Sequence, residues 1–208
     1  MMPALVRAAA ASGSAAPGAS RYVYVGSRLE QRGDVARQLA TPRGKRNWDA
    51  PLVSDAEERF DTFGEYGTAK QAGTALTYEL ARRTRAALRL DGAGDVQSTS
   101  VAIHACTPGL VHTNLGRFVG PVWRTLAAPV QWAMTKTSAQ GAEVPLWVVT
   151  SEDAGAAPGG GYFGTEGSLR SGPVIALTSS TASNDAELAG KLWAACEEMH
   201  GPVDAPIE

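Results

Sequence analysis

Tyr66 and Lys70 stand four residues apart in a stretch of helical pattern, so their side chains fall one turn apart on the same flank. An ammonium so placed favours the phenolate and draws a tyrosine down from its ordinary pKa of ~10. A phenol tuned in that way can give or take a proton near neutral pH. The pair alone is weak evidence, because tyrosines and lysines meet at this spacing by chance, and what surrounds them decides. Ser27 follows Tyr22-Val-Tyr-Val-Gly26, a β-branched and aromatic run closed by glycine, which reads as a strand buried on both faces of a parallel sheet. Open α/β sheets seat ligands at the C-terminal ends of such strands, so Ser27 is either a hydroxyl donor to a ligand or an ordinary turn serine. Pro108-Gly109 closes a second strand candidate, Val101-Ala-Ile-His-Ala105. Glycine there lets a ligand approach the backbone and proline stiffens the exit. Thr113, four residues beyond, belongs to the same loop or caps the helix after it.

The elements that must position these groups alternate. Met2 to Ala11 reads as the end of a helix rather than a targeting peptide, because a Gly/Ser/Pro turn leads from it straight into the first strand. Residues 28–61 read as a long polar loop, with a short helix near Ser54 to Phe60. From Glu65 to Leu90, Ala69, Ala72, Leu76 and Leu80 make one apolar stripe, and Arg82, Arg85 and Arg89 lie off it on a solvated face. Thr137-Ser-Ala-Gln140 is a capping box opening a helix through Val148 that is apolar nearly all round and so expected to be buried. Gly159-Gly-Gly161 leads into a third short strand at Tyr162-Phe163. Asn184-Asp-Ala-Glu187 caps a last helix with Leu188, Leu192, Cys196 and Met199 on one face. The expected fold class is α/β: a truncated, Rossmann-like (doubly wound) parallel sheet of about three strands, lacking the N-terminal strands, in a single domain over residues 1–208.

Composition narrows the function classes. At 208 residues, 44% hydrophobic and 19% charged, the chain has the make-up of one globular domain. A net charge of −2 offers no electrostatic basis for binding nucleic acid or an anionic membrane. No stretch approaches the ~20 apolar residues of a membrane span, so the chain is expected to be soluble or at most peripherally attached. Cys106 and Cys196 form no CxxC pair and no His/Cys cluster occurs, which argues against a disulfide framework or structural metal and suits a reducing compartment such as the cytoplasm. His104, among apolar neighbours, reads as a satisfied core histidine, His112 has no partner pattern, and Cys106 reads as packing.

In order, "YVYVGS", "YGTAK", "HACTPGLVHT", "KTSAQGA", "GYF" and "AELAGKLWAACEEMHG" resemble the short-chain dehydrogenase/reductase family. The likeness is to its retinol-dehydrogenase-like and WW-domain-oxidoreductase-like branch, C-terminal part only. The resemblance implies a catalytic set of Ser27, Tyr66 and Lys70. In it the tyrosine exchanges a proton with the carbonyl or alcohol oxygen, the serine hydroxyl holds that oxygen, and the lysine also bonds the nicotinamide ribose. It implies contact with NADP (or NAD) through Tyr66, Lys70, Pro108, Gly109, Val111 and Thr113, and a small lipophilic carbonyl or alcohol as substrate.

Departures from the family pattern are as informative. No TGxxxGxG-like turn occurs to seat a pyrophosphate at a helix N-terminus, and neither the residue that selects NAD or NADP nor the family's helix asparagine has a counterpart. Ala69 stands for the usual serine, Gln71-Ala-Gly73 for a usual Leu-Ala-Asn, and the Ser27-to-Tyr66 interval of 39 residues is long for the family. The expectation is an NAD(P)-dependent carbonyl/alcohol oxidoreductase site whose nucleotide-binding half is absent, so that this chain binds cofactor weakly. The rival reading is a catalytically silent fragment acting as an interaction module, through homo-oligomerisation at the exposed Tyr22–Gly26 edge, or an incomplete gene model.

Overall fold

The computed structural model describes residues 20–41, 62–90, 101–111, 135–157, 159–166 and 172–202. At its centre is β2, Val101–Cys106, with all six residues buried. β1 (Ser20–Val25) pairs parallel to one side of it, in a register that runs from Ser20 opposite Val101 to Val25 opposite Cys106. β3 (Gly161–Thr165) pairs parallel to the other side, and β4 (Val174–Ala176) adds to β3 antiparallel. The sheet order is β1-β2-β3-β4, so each strand lies beside its successor in sequence.

Strand alternation divides β2 between two layers. Val101, Ile103 and Ala105 face a long helix, α2 (Thr62–Leu90), where they pack with Tyr78, Leu80 and Ala81. Cys106 faces the other way, toward Val144 and Val148 of α3 (Ser138–Thr150), Ala154 of α4 (Glu152–Ala156) and Phe163 of β3. Both faces are therefore covered, as a parallel sheet requires. A further layer lies outside α2: Ala75 meets Val35 of α1 (Val35–Ala40) and Ala189 and Leu192 of α6 (Ala186–His200). The short α5 (Thr181–Asn184) precedes α6, which Asp185 caps by accepting from the amides of Glu187 and Leu188.

The alternation read from the sequence is present, with several corrections. The fourth strand was not expected, since Val-Ile-Ala is too short to announce itself; it turns a parallel sheet into a mostly parallel one. β1 is only partly buried, because among the described residues it pairs with β2 alone. The supposed loop over residues 28–61 opens with a 3-10 turn, Arg28–Arg32, and then α1. Local caps account for both: Ser27 accepts from the Leu29 amide and Asp34 from the Arg37 amide. Residues 42–61, with the helix expected near Ser54, lie outside the described residues, as do Met2 to Ala11. The helix opened by the Thr137 capping box is less buried than its composition suggests, with Leu146 and Val149 exposed. Arg82 is half-buried and, with Arg83, bonds Glu79, rather than lying on a solvated face.

His104 is fully buried and satisfied. Its Nδ1 accepts from the Gly161 amide at 3.1 Å, so the proton sits on Nε2, which donates to the Ala154 carbonyl at 2.9 Å. The imidazole thus ties β2 to β3 and α4, and burial holds its pKa below the ordinary value. Below its ordinary pKa of ~6.5 the unfolded chain takes up a proton that the folded one resists, so folding stability falls as pH drops through that value. Urea midpoints measured from pH 8 to pH 5 are expected to decline, and His104→Gln is expected to flatten that decline.

Candidate active site

The site begins with a close backbone approach. A Cβ on Gly67 would lie 2.5 Å from the Leu29 carbonyl oxygen, and one on Gly33 would lie 2.7 Å from the Gly67 carbonyl oxygen. The two glycines let the 3-10 turn lie directly on the first turns of α2, beside Tyr66. Gln71, buried in α2, completes the clamp: its Nε2 donates to the Glu30 carbonyl at 3.0 Å and its Oε1 accepts from the Val35 amide at 2.9 Å. Glu30, fully buried, accepts from the Ser180 amide at 2.7 Å, from the Ser180 hydroxyl at 2.5 Å and from the Ser183 hydroxyl at 2.7 Å. Its carboxylate thereby fastens the turn to α5 across 150 residues of sequence.

Ser27 is the hinge residue between β1 and this turn. The Gly26 amide still donates to the Cys106 carbonyl at 2.7 Å, so the sheet ladder runs to the residue before Ser27. Lys70 reaches across from α2: its Nζ donates to the Val25 carbonyl at 3.1 Å and lies 5.7 Å from the ring centre of Tyr66 and 5.5 Å from that of Tyr24. Burial lowers the ammonium's pKa from its ordinary value. Tyr24 is pushed up to about 12, first by burial and then by the neighbouring phenols of Tyr66 and Tyr22. Ser27, Tyr66 and Lys70 are therefore brought to one corner, where β1 ends against α2.

Pro108, Gly109 and Val111 leave the adjacent end of β2. Gly109 has a φ of 83°, a left-handed conformation that favours glycine. The Thr107 amide donates to the Phe163 carbonyl at 2.8 Å, which holds the start of this segment beside β3. Val111 forms an isolated parallel bridge with Lys136. Thr113 and His112 lie outside the described residues. No group of three His, Cys, Asp or Glu residues able to hold a metal ion occurs among the described residues.

Several residues of this corner were given no role by the sequence: Arg28 and Glu30 lie outside the quoted motifs, Tyr24 and Lys136 lie within them, and Gln71 stood only as a departure from the family pattern. Gln71 and Gly73 are two of the family departures, and the structure explains both. Gln71 holds the turn and α1, while Gly73 lies under the Tyr24 ring, which leaves no room for a Cβ. Ala69, the third, is exposed.

No protein-family model matches the chain. It is 30% identical over 190 residues to human retinol dehydrogenase 14, an alignment covering 90% of this chain and 46% of that protein. It is 26% identical over 152 residues to human retinol dehydrogenase 13, covering 71% of this chain and 39% of that protein. Over nine-tenths of its length the chain is thus similar to retinol dehydrogenases, in line with the short-chain dehydrogenase/reductase resemblance of its motifs. It spans about half the length of the curated relatives it matches. A crystal structure of an uncharacterized protein from Mycobacterium paratuberculosis superimposes with a TM-score of 0.53 at 24% identity, covering 86% of this chain and 49% of that one. That likeness supports the Rossmann-like fold alone. Within the described residues no helix is long and apolar enough to cross a membrane.

Two substitutions test the clamp. Gly→Ala inside a helix ordinarily stabilises by about 1 kcal/mol, yet Gly67→Ala is expected to destabilise by about 2 kcal/mol through overpacking against Leu29. Gln71→Leu, which strands a buried amide and a buried carbonyl, is expected to cost about 3 kcal/mol. Ala69→Ser, on the exposed side, should move stability by under about 0.5 kcal/mol. Urea unfolding of the three variants checks the order; a stabilised Gly67→Ala would mean that the turn does not rest on α2.

Proposed function

We propose that this chain is the C-terminal, acid/base part of an NAD(P)-dependent oxidoreductase that interconverts a lipophilic carbonyl and its alcohol, with retinoid-like compounds as the substrate class suggested by the names of its relatives. One observation carries the proposal: the Lys70 ammonium is held between the end of β1, two residues before Ser27, and the face of the Tyr66 ring. Tyr66 then exchanges a proton with the substrate oxygen, the Ser27 hydroxyl donates to that oxygen, and Lys70 stands beside the ring as a positive charge. A nicotinamide, when bound, would supply or accept the hydride. Its residue-side fit rests on Gly109, which carries no Cβ beside Pro108, and on Lys70 at the end of the neighbouring strand. Val111 and Thr113 are proposed to lie along the same cofactor edge.

The pyrophosphate side has no counterpart here, because the sequence holds no Gly-rich strand-to-helix turn of the required form. NADPH is therefore expected to bind this chain weakly, with a Kd on the order of 1 mM or above. Reduced nicotinamide mononucleotide, which lacks the adenosine, is the sharper probe. Titrated into the chain, it is expected to shift the amide resonances of Gly109 and Val111 in the unsubstituted protein and in Tyr66→Phe, but not in Lys70→Met. With retinal added, any turnover should fall by about 100-fold in Tyr66→Phe. Shifts confined to residues far from this corner would refute the site.

A second reading is favoured by β1, which stands at one end of the strand order of the described residues. An open parallel edge can pair with another copy, making the chain an interaction module rather than an enzyme. Sedimentation as a monomer at high concentration would rule against it.

A further inference from the structure

Lys136 is the largest fully buried side chain among the described residues, at 2% exposure, yet no carboxylate lies within ion-pair distance of it there. Its Nζ donates to the Thr165 hydroxyl at 2.8 Å and to the Pro108 carbonyl at 3.2 Å. Its backbone amide donates to the Leu110 carbonyl at 2.8 Å, completing the bridge with Val111. Gly141, at the start of α3, has no Cβ and so lets the Val111 side chain close against the helix. Both ends of Lys136 thus grip one segment, Pro108 to Val111. Thr165, at the end of β3, receives a second cation: Arg28, next to Ser27, donates to its carbonyl at 3.1 Å and to that of Glu166 at 3.2 Å.

A buried ammonium without a matched anion is expensive, and a packed apolar side chain of similar volume usually does better for stability. Burial accordingly lowers the Lys136 pKa, against the opposing pull of Glu143. Neither stability nor solubility explains a lysine at this place, whereas its geometry does. The nitrogen closes a bridge between the carbonyl that starts the Pro108–Val111 segment and the hydroxyl that ends β3. We propose that Lys136 is a positioning residue, which acts through Thr165 to latch the Pro108–Val111 segment in the form that receives the nicotinamide. The latch stands on geometry alone; its purpose rests on the function proposed above. Through the shared Thr165, the serine-bearing turn and this segment are moored to one residue.

The test uses the full chain and the variants Lys136→Met, Thr165→Val and Thr165→Ser, with amide hydrogen exchange as the main readout. Lys136→Met is expected to speed exchange at Gly109 and at residue 136 by about tenfold, while His104 and Ala105 in β2 keep their protection. Thr165→Val should give the same local pattern and Thr165→Ser should restore slow exchange, because only the hydroxyl is at issue. The chemical-shift response of Gly109 to reduced nicotinamide mononucleotide should need about tenfold more ligand in the two loosened variants. Unchanged exchange in Lys136→Met and Thr165→Val would overturn the latch, and so would protection lost equally throughout the sheet. Should the unsubstituted chain show no nicotinamide response while the exchange pattern appears, the latch stands and the proposed function falls.

Discussion

The backbone of the turn after β1 lies directly on the backbone of α2, at the Gly33 and Gly67 contact, and the rest of the site depends on that closeness. A side chain at residue 67 would collide with the Leu29 carbonyl and push the turn away from the helix that carries Tyr66 and Lys70. With the turn seated, the same two helical turns present Tyr66 toward the sheet end, Gln71 beneath the turn, and Lys70 on the Val25 carbonyl. The contact is mutual: the turn has few apolar residues of its own, and Glu30, its buried member, is satisfied by Ser180 and Ser183 rather than by a cation. A carboxylate surrounded by neutral donors fixes direction more than it adds stability, since hydrogen bonds to it only offset what burial costs. The last two helices thereby become part of the site's scaffold without touching its chemistry.

Much of the α/β layering was legible in the sequence, because the two principal strands are continuous apolar runs and α2 carries a long helical pattern. What could not be read from a stripe was the surroundings of α2. A helix covered by a sheet on one side and by α1, the turn and α6 on the other buries polar positions that periodicity assigns to solvent. Thr74 and Thr77 resolve this by bonding back to the carbonyls of Lys70 and Gly73, and Gln71 by serving the neighbouring turn. The reverse error occurred at α3, where apolar Leu146 and Val149 suggested burial that the fold does not provide. Composition reports what a helix can bury; topology decides how many of its sides have something to bury against.

The candidate site was legible to the extent that spacing and strand ends could reveal it. Tyr66 and Lys70 are a helical pair, and Ser27 and Pro108 each follow a strand, so sheet topology alone brings them to one end. Arg28 and Glu30 gave no such signal, and Lys136 entered only as the first residue of the "KTSAQGA" likeness, with no role attached. Each acts on backbone carbonyls or hydroxyls far away in sequence, and nothing in its local pattern distinguishes it from a solvated charge. Lys136 sits immediately before the capping box at Thr137, where a charged residue would ordinarily be read as the exposed start of a helix.

The cations at this end of the sheet share one logic. Lys70 holds the Val25 carbonyl, Arg28 the Thr165 carbonyl and Lys136 the Pro108 carbonyl. Strand ends leave carbonyl oxygens with no ladder partner, and each needs a donor if it is to be withdrawn from water. A neutral donor would satisfy the oxygen equally well but would leave no field behind. Positive side chains satisfy the same oxygens and leave a positive potential at this end of the sheet, which the proposed reduction of a carbonyl would use. The requirement that closes the sheet and the one that the proposed chemistry imposes are therefore met by the same residues.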